Sequence, residues 1–194
     1  MKKVLIINGS LNGSEGNTGK VVDAVRTTLE KRCEVITYTL ASPQTGPSRA
    51  ALWLALDGAD GIVFATGTYW DSWGSPLQQF LEEASELEGS PSWLGKPTSV
   101  IVTEHSCGGK GVLSRLQGVL STFGVLIPPM SGMVYSMASH MALREPKQHL
   151  HDDLWCMEDV TIVCHNLVEA IHGGNDWKAW EIDHYGTTDP KWLK

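Results

Sequence analysis

Short runs of Val, Ile and Leu recur along the chain, each followed by a stretch with helical spacing. Lys3 to Asn8, Glu34 to Thr39, Gly61 to Thr66, Thr98 to Thr103 and Val125 to Ile127 read as strands. Continuous apolar runs of this length suit strands covered on both faces, hence a parallel sheet. Between them, Val21, Val22, Val25 and Leu29 set one apolar stripe, and Leu77, Phe80, Leu81, Ala84 and Leu87 set another at i, i+3, i+4, i+7 spacing. Ser75 is expected to cap that second helix, with Pro76 at its first position and Gln78 completing a capping box. A further helix carries Val112, Leu113, Leu116, Val119, Leu120 and Phe123 and stops at Gly124. The last is expected from about Asp152 to His172, burying Leu154, Met157, Val160, Cys164, Leu167, Val168 and Ile171. A helix around Ser48 to Asp57 links the second and third strands.

Five β-α units under the right-handed crossover rule give an α/β fold: a doubly wound, five-stranded parallel sheet of order 2-1-3-4-5 with helices on both faces. Residues 1–174 are read as one domain and residues 175–194 as an aromatic tail packing on it or on a partner subunit. Met130 to His151 appears as an extra segment rich in Met and His.

Composition narrows the class. A chain of 194 residues, 42% hydrophobic, buries one sizeable core. A net charge of −7 and a pI near 5.4 exclude the Lys/Arg-driven binding that nucleic acids require. The apolar run Val4 to Ile7 is too short for a signal-peptide core, and no stretch approaches a membrane span. Cys33, Cys107, Cys156 and Cys164 lack CxxC or zinc-ligand spacing, so free thiols in a reducing, cytoplasmic setting are expected.

In a sheet of this order the ligand crevice opens beyond the carboxyl ends of strands one and three. Three loops of unusual composition converge there. The first, GSLNGSEGNT, brings Ser10, Asn12, Ser14, Asn17 and Thr18 to a helix N-terminus, whose free N–H groups and dipole favour an anion such as a phosphate monoester. The Walker pattern fails at Ser14 and Val21, and the dinucleotide G-x-G-x-x-G fails at Leu11. A purely structural reading as turn and cap stays open for this loop. The second loop, GTYWDSWGS, exposes Tyr69, Trp70 and Trp73 in a βα connection, where large rings suit a flat heteroaromatic ligand or, for Trp73 equally, packing on a neighbour. In the third, EHSCGGKG, His105 and Ser106 beside glycines reach the polar edge of a ring system. His105 is either a catalytic charge stabiliser or an ordinary surface histidine. Cys107 is read as a bystander thiol with a reactive role left open.

Taken together, GSLNGSEGNT, ADGIVFATGTYWDSWGSPLQQFLEE and TEHSCGGKG resemble the flavodoxin-like NAD(P)H-dependent FMN reductases, a group that includes quinone, azo-dye and chromate reductases. The resemblance spans roughly residues 3–128 and implies FMN as cofactor with NAD(P)H as reductant. It further implies that Ser10, Asn12, Asn17 and Thr18 hold the phosphate, that Thr68, Tyr69, Trp70, Asp71 and Ser72 line the isoalloxazine, and that His105, Ser106, Gly108 and Gly109 contact its other edge. Family members commonly carry proline where this chain has Gly67, and the cysteine cluster of the iron-sulfur relatives is missing.

The implied activity is a ping-pong transfer of hydride from NAD(P)H to a small acceptor such as a quinone or free flavin, with no catalytic residue required beyond the flavin except His105 in its catalytic reading. A flavodoxin-type electron carrier working with a protein partner is the alternative. The Met-rich segment and the tail residues Trp177, Trp180, Tyr185 and Trp192 suggest a homodimer or a patch over the domain's own core. Two other readings are weak. A magnesium-binding receiver domain would need carboxylates where the strands end Asn8-Gly9-Ser10 and Thr66-Gly67-Thr68, and a metal site from His140, His149, His151, Asp152 and Asp153 competes with a solvated, helix-capping cluster. No metal is expected.

Overall fold

The computed structural model describes residues 1–41, 49–144 and 155–180. Five strands, β1 (Lys3–Asn8), β2 (Glu34–Thr39), β3 (Gly61–Gly67), β4 (Thr98–Glu104) and β5 (Gly132–Ser136), form one sheet of order β2-β1-β3-β4-β5. Every pairing is parallel. This is the doubly wound sheet that the alternating pattern predicts.

Alternation at period two sorts the strand residues onto two apolar faces. Leu5, Ile7, Ile62, Phe64, Val100, Val102 and Val134 meet the side chains of α2 (Arg49–Gly58), α3 (Ser75–Ala84) and α4 (Gly109–Phe123). Val4, Ile6, Val63, Ala65, Ile101 and Met133 meet α1 (Asn17–Leu29) and α6 (Val160–Ile171). On the first face Trp93 is fully buried, its ring centroid 5.3 Å from Phe123 and 6.3 Å from both Phe64 and Phe80. At the sheet's amino edge, Asp60 accepts from the Lys3 backbone N–H and the Lys2 ammonium, both at 2.8 Å. The Lys2 hydrogen bond, followed by that of Lys3, holds its carboxyl below the usual value.

Four local expectations change. The fifth strand is Gly132–Ser136, not Val125 to Ile127; Leu126 makes only an isolated bridge with Pro97. Pro128 and Pro129 follow at once and supply no N–H to a ladder. The chain turns through Met130, at φ 48°, before β5 joins β4 at the register Val100–Gly132. The segment read as extra thus contains the closing strand and α5 (Met137–Arg144).

At α3 the cap is Gly74, not Ser75, and no side chain caps it. A Cβ on Gly74 would stand 2.8 Å from the Gly9 carbonyl oxygen, so the contact between the first and second loops demands glycine there. Gln78 instead accepts from the Trp73 indole at 2.7 Å and donates to Glu82. The helix between β2 and β3 is described from Arg49; Ser48 lies outside the described residues. The last helix begins at Val160, later than expected, after a 3-10 turn over Met157–Asp159. Asp159 accepts from the Cys156 N–H at 2.8 Å and so fixes the entry. Asp152 and Leu154 lie outside the described residues.

The link from β3 to α3 holds an unusual turn. Tyr69 and Ser72 exchange backbone hydrogen bonds of 2.8 and 2.9 Å, with only Trp70 and Asp71 between them. Both central residues have positive φ, 49° and 58°. That is the type I′ pattern, normally filled by Asn-Gly because other side chains crowd the left-handed region. Trp70 is 102% exposed, so no burial of its own repays the strain. Replacing the pair by W70N/D71G is therefore expected to raise stability by about 1–2 kcal/mol. Urea denaturation of both proteins checks this, and a lower midpoint in the variant would refute a strained turn.

Candidate functional site

Apolar packing on both faces leaves the carboxyl ends of the strands as the place where polar side chains gather. Asn8 closes β1, and its side chain organises the first loop: Nδ2 donates to the Gly13 carbonyl at 3.0 Å, while Oδ1 accepts from the Ser10 N–H and hydroxyl at 3.1 and 2.8 Å. The loop passes through a 3-10 turn over Gly13–Glu15 and enters α1, whose N-cap is Gly16. No side chain caps this helix, and its first bond of α type runs from Lys20 N–H to Gly16 O. The N–H groups of Asn17, Thr18 and Gly19 therefore precede the helical ladder, where a helix offers donors and positive potential to an anion. Gly19 is fixed by space: a Cβ there would sit 2.1 Å from the Ser14 carbonyl oxygen.

The three loops are tied to one another. Thr18 and Thr103 share a hydroxyl contact of 2.7 Å that joins α1 to β4. The Tyr69 hydroxyl accepts from the Leu11 N–H at 3.1 Å, joining the second loop to the first. The Tyr69 ring lies over Gly67, where a Cβ would come within 3.0–3.1 Å of it. That contact gives Gly67 a steric role in seating Tyr69. Arg115 on α4 donates to the Asp71 carbonyl and lies 5.6 Å from the Trp73 ring, holding the strained turn from the third side.

Between the loops lies a cleft lined by Ser10, Asn12, Gly16, Asn17, Thr18, Gly67, Thr68, Tyr69, Thr103, Glu104 and His105. It brings together Ser10, Asn12, Asn17, Thr18, Thr68, Tyr69 and His105 of the residues expected to bind. Trp70, Asp71, Ser72 and Ser106 stand outside the lining. Gly108, at φ 89°, caps α4 and lines a neighbouring cavity instead. The Gly109 N–H points at Glu104, whose carboxylate accepts it at 2.6 Å. Trp73 takes its packing role, against the core and Gln78.

Asn8, Thr103 and Glu104 escape a reading by loop composition. Their signal is positional: each is a polar residue at the last or next-to-last place of a central strand, beside the topological switch point.

Two features test whether these residues fit FMN. The uncapped start of α1 suits a phosphate monoester. The Thr68 hydroxyl is buried in the lining with no hydrogen-bond partner among the described residues, which costs free energy unless a ligand atom completes it. The donor set fits.

Elsewhere, burial pushes the thiols of Cys33 and Cys164 up, the latter to about 12, and that of Cys156 to about 11. None of them lines the cleft, and Cys107 is exposed on the third loop. Among the described residues no group of three His, Cys, Asp or Glu is placed to hold a metal, and no helix is long and apolar enough to cross a membrane. His149, His151, Asp152 and Asp153 lie outside the described residues. So do Tyr185 and Trp192; Trp180 meets Trp155 edge-on at 5.8 Å.

Solved structures share this architecture. A flavodoxin-type, WrbA-like protein from Agrobacterium tumefaciens matches with a TM-score of 0.67 at 17% identity, over 90% of this chain and 100% of that one. An NADH:FMN oxidoreductase, EmoB, in its apo form matches at 0.63 and 15% over the whole of both chains. General stress protein 14 of Treponema denticola, in complex with FMN, matches at 0.56 and 16% over 89% of this chain and 99% of that one. At such identities the likeness carries the fold. Among curated proteins no sequence match is found. A family model, however, matches residues 2–139, the span that contains all five strands and all three loops. The chain belongs to the NADPH-dependent FMN reductase family, and its chemistry is that of a flavin-dependent NAD(P)H oxidoreductase with FMN as cofactor.

Proposed function

We propose that this protein passes a hydride from NAD(P)H to a small acceptor, a quinone or free flavin, by a ping-pong reaction in the cytoplasm. The observation that carries the reading is the pairing of an uncapped α1 N-terminus with the orphaned Thr68 hydroxyl in one cleft. When bound, FMN supplies the hydride-accepting and hydride-donating chemistry. The protein supplies placement and access.

In this reading the N–H groups of Asn17, Thr18 and Gly19 and the side chains of Asn12 and Asn17 hold the phosphate, with Ser10 keeping the loop in shape through Asn8. The cleft measures 150 Å3, less than the roughly 300–1,000 Å3 of a pocket that encloses a drug-sized ligand. Thr68 to Ser72 on one side and His105, Ser106 and Gly108 on the other would hold the ring system at the rim, while the Gly109 N–H is already taken by Glu104. In a ping-pong order NAD(P)H and the acceptor would reach the site in turn, with NAD(P)+ leaving before the acceptor binds. His105, exposed and lining the cleft, would in this reading stabilise negative charge on the reduced ring.

Residues 1–174 serve as the flavin domain. The aromatic composition of residues 175–194 and the exposed Met141 and Trp177 support a homodimer contact.

The direct test is the colour of the purified protein. FMN absorption that NAD(P)H bleaches without a partner protein is the expected result. A flavin that stays oxidised until a reductase protein is added would mark an electron carrier instead, and a protein that refuses added FMN would overturn the reading. Two substitutions examine the placement. Asn17→Asp sets a carboxylate beside the phosphate and is expected to weaken FMN retention about tenfold or more, measured by equilibrium dialysis. Thr68→Val removes a hydroxyl that bonds to nothing among the described residues, so the FMN-free fold should be as stable as before or slightly more so while FMN affinity falls several-fold. Loss of stability without loss of affinity would place the hydroxyl's partner elsewhere.

A further inference from the structure

Beyond the carboxyl ends of β4 and β5, a second cavity of 270 Å3 adjoins the cleft across Glu104, which lines both. Its other walls are Cys107, Gly108, Lys110, Val134, Ser136, Ser139 and Trp155. None of its side chains is needed to hold FMN in the reading above. We propose that this cavity binds a planar, one- or two-ring aromatic acid, and that the acceptor is a quinone bearing a carboxylate; the second clause rests on the flavin reading, the first does not.

The walls are held before any ligand arrives. Trp180 backs the Trp155 indole edge-on at 5.8 Å, and the Cys156–Asp159 bond fixes the backbone just after it. Glu104 is anchored by the Gly109 N–H, and Ser136 Oγ accepts from the Ser139 N–H. Such preorganisation lowers the ordering cost of binding.

The Lys110 ammonium lies 4.7 Å from the centre of the Trp155 ring and, among the described residues, forms no salt bridge. A cation resting on an exposed aromatic face is held weakly, whereas hydrogen bonds between an ammonium and a carboxylate are among the stronger contacts in proteins. A ligand carboxylate therefore draws Lys110 off the indole. The vacated face then receives the ligand's own ring, and anion and ring are recognised in one movement. Val134 supplies apolar wall, while the Ser136 and Ser139 hydroxyls suit quinone oxygens. Size agrees: 150 Å3 of apolar cavity holds a benzene ring, so 270 Å3 accommodates about two fused rings.

In turnover one NAD(P)H is oxidised to NAD(P)+. Its hydride and one solvent proton bring two electrons and two protons to the quinone, whose two C=O groups become O–H.

Calorimetric titration of the full chain, as purified and after FMN loading, with 2-naphthoate and its neutral analogue 2-naphthamide tests the site. Naphthoate is expected to bind both preparations more tightly than the amide. Lys110→Gln should weaken naphthoate about tenfold, leave the amide within about threefold, and leave FMN retention unchanged. Trp155→Ala should weaken both ligands. In turnover, kcat/KM for a carboxylated naphthoquinone should exceed that for an uncharged one, and Lys110→Gln should erase the difference. Equal binding of acid and amide, or a Lys110→Gln protein that binds naphthoate as before, overturns the inference even where FMN is retained and bleached. Failure to retain FMN would instead defeat the flavin reading, and the naphthoate titration would still decide the pocket.

Discussion

Burial of the sheet on both faces is the constraint from which the rest of the molecule follows. Val4 to Ile7, Ile62 to Ala65 and Val100 to Val102 are each at most 1% exposed, so no ligand-binding side chain can stand within those runs. Buried polar side chains open β4 at Thr98 and Ser99, but it is at the carboxyl ends that they gather from several strands: Asn8, Thr66, Thr103 and Ser136 are all buried, and all sit at or next to such an end. A parallel sheet points those ends in one direction. Helices then start there, and their free N–H groups face the same side. The cleft is thus a consequence of covering the sheet, sharpened by loop sequences.

Close backbone approach is the second step. Gly9, Gly19, Gly67 and Gly74 each leave space that a Cβ would fill at 3.0 Å or less, against Leu77, the Ser14 carbonyl, Tyr69 and the Gly9 carbonyl in turn. The first and second loops therefore touch through main chain, and Tyr69 reaches across to Leu11. The strained Trp70-Asp71 turn fits this picture, because it brings Tyr69 and Ser72 into register while Arg115 holds Asp71 from α4.

The order of the sheet, the faces of α1, α3, α4 and α6, and the three converging loops were all legible in the sequence, because period-two and period-3.6 patterns are written in single residues. Where the reading slipped, the deciding fact was spatial. Val125 to Ile127 has the right residues for a strand, yet the prolines behind it deny a ladder, and Gly132–Ser136 takes the place beside β4. Ser75 has the chemistry of a cap, but the cap position touches the Gly9 carbonyl and only glycine fits. Gly109 looks like a free donor in a glycine run until Glu104, five residues earlier, turns out to occupy it. Asn8 and Thr103 were passed over because one amide and one hydroxyl at strand ends carry no motif.

The charge of the site poses a problem that its geometry answers. The chain carries −7, and among the described residues no Lys or Arg lines the cleft, while Glu104 does. In the reading proposed above, capture of a phosphate there does not draw on ion pairing with the described residues. It draws instead on neutral donors at the cleft: the first N–H groups of α1 and the amides of Asn12 and Asn17. Such dipoles cost little to reorganise, and they are screened less by salt than a surface cation would be. Glu104 is compatible with this arrangement because its carboxylate is turned to the start of α4, where the Gly109 N–H and the helix dipole offset its charge. Two helix N-termini at one sheet edge thus differ: that of α1 carries no side-chain cap, and that of α4 is closed by the Glu104 carboxylate.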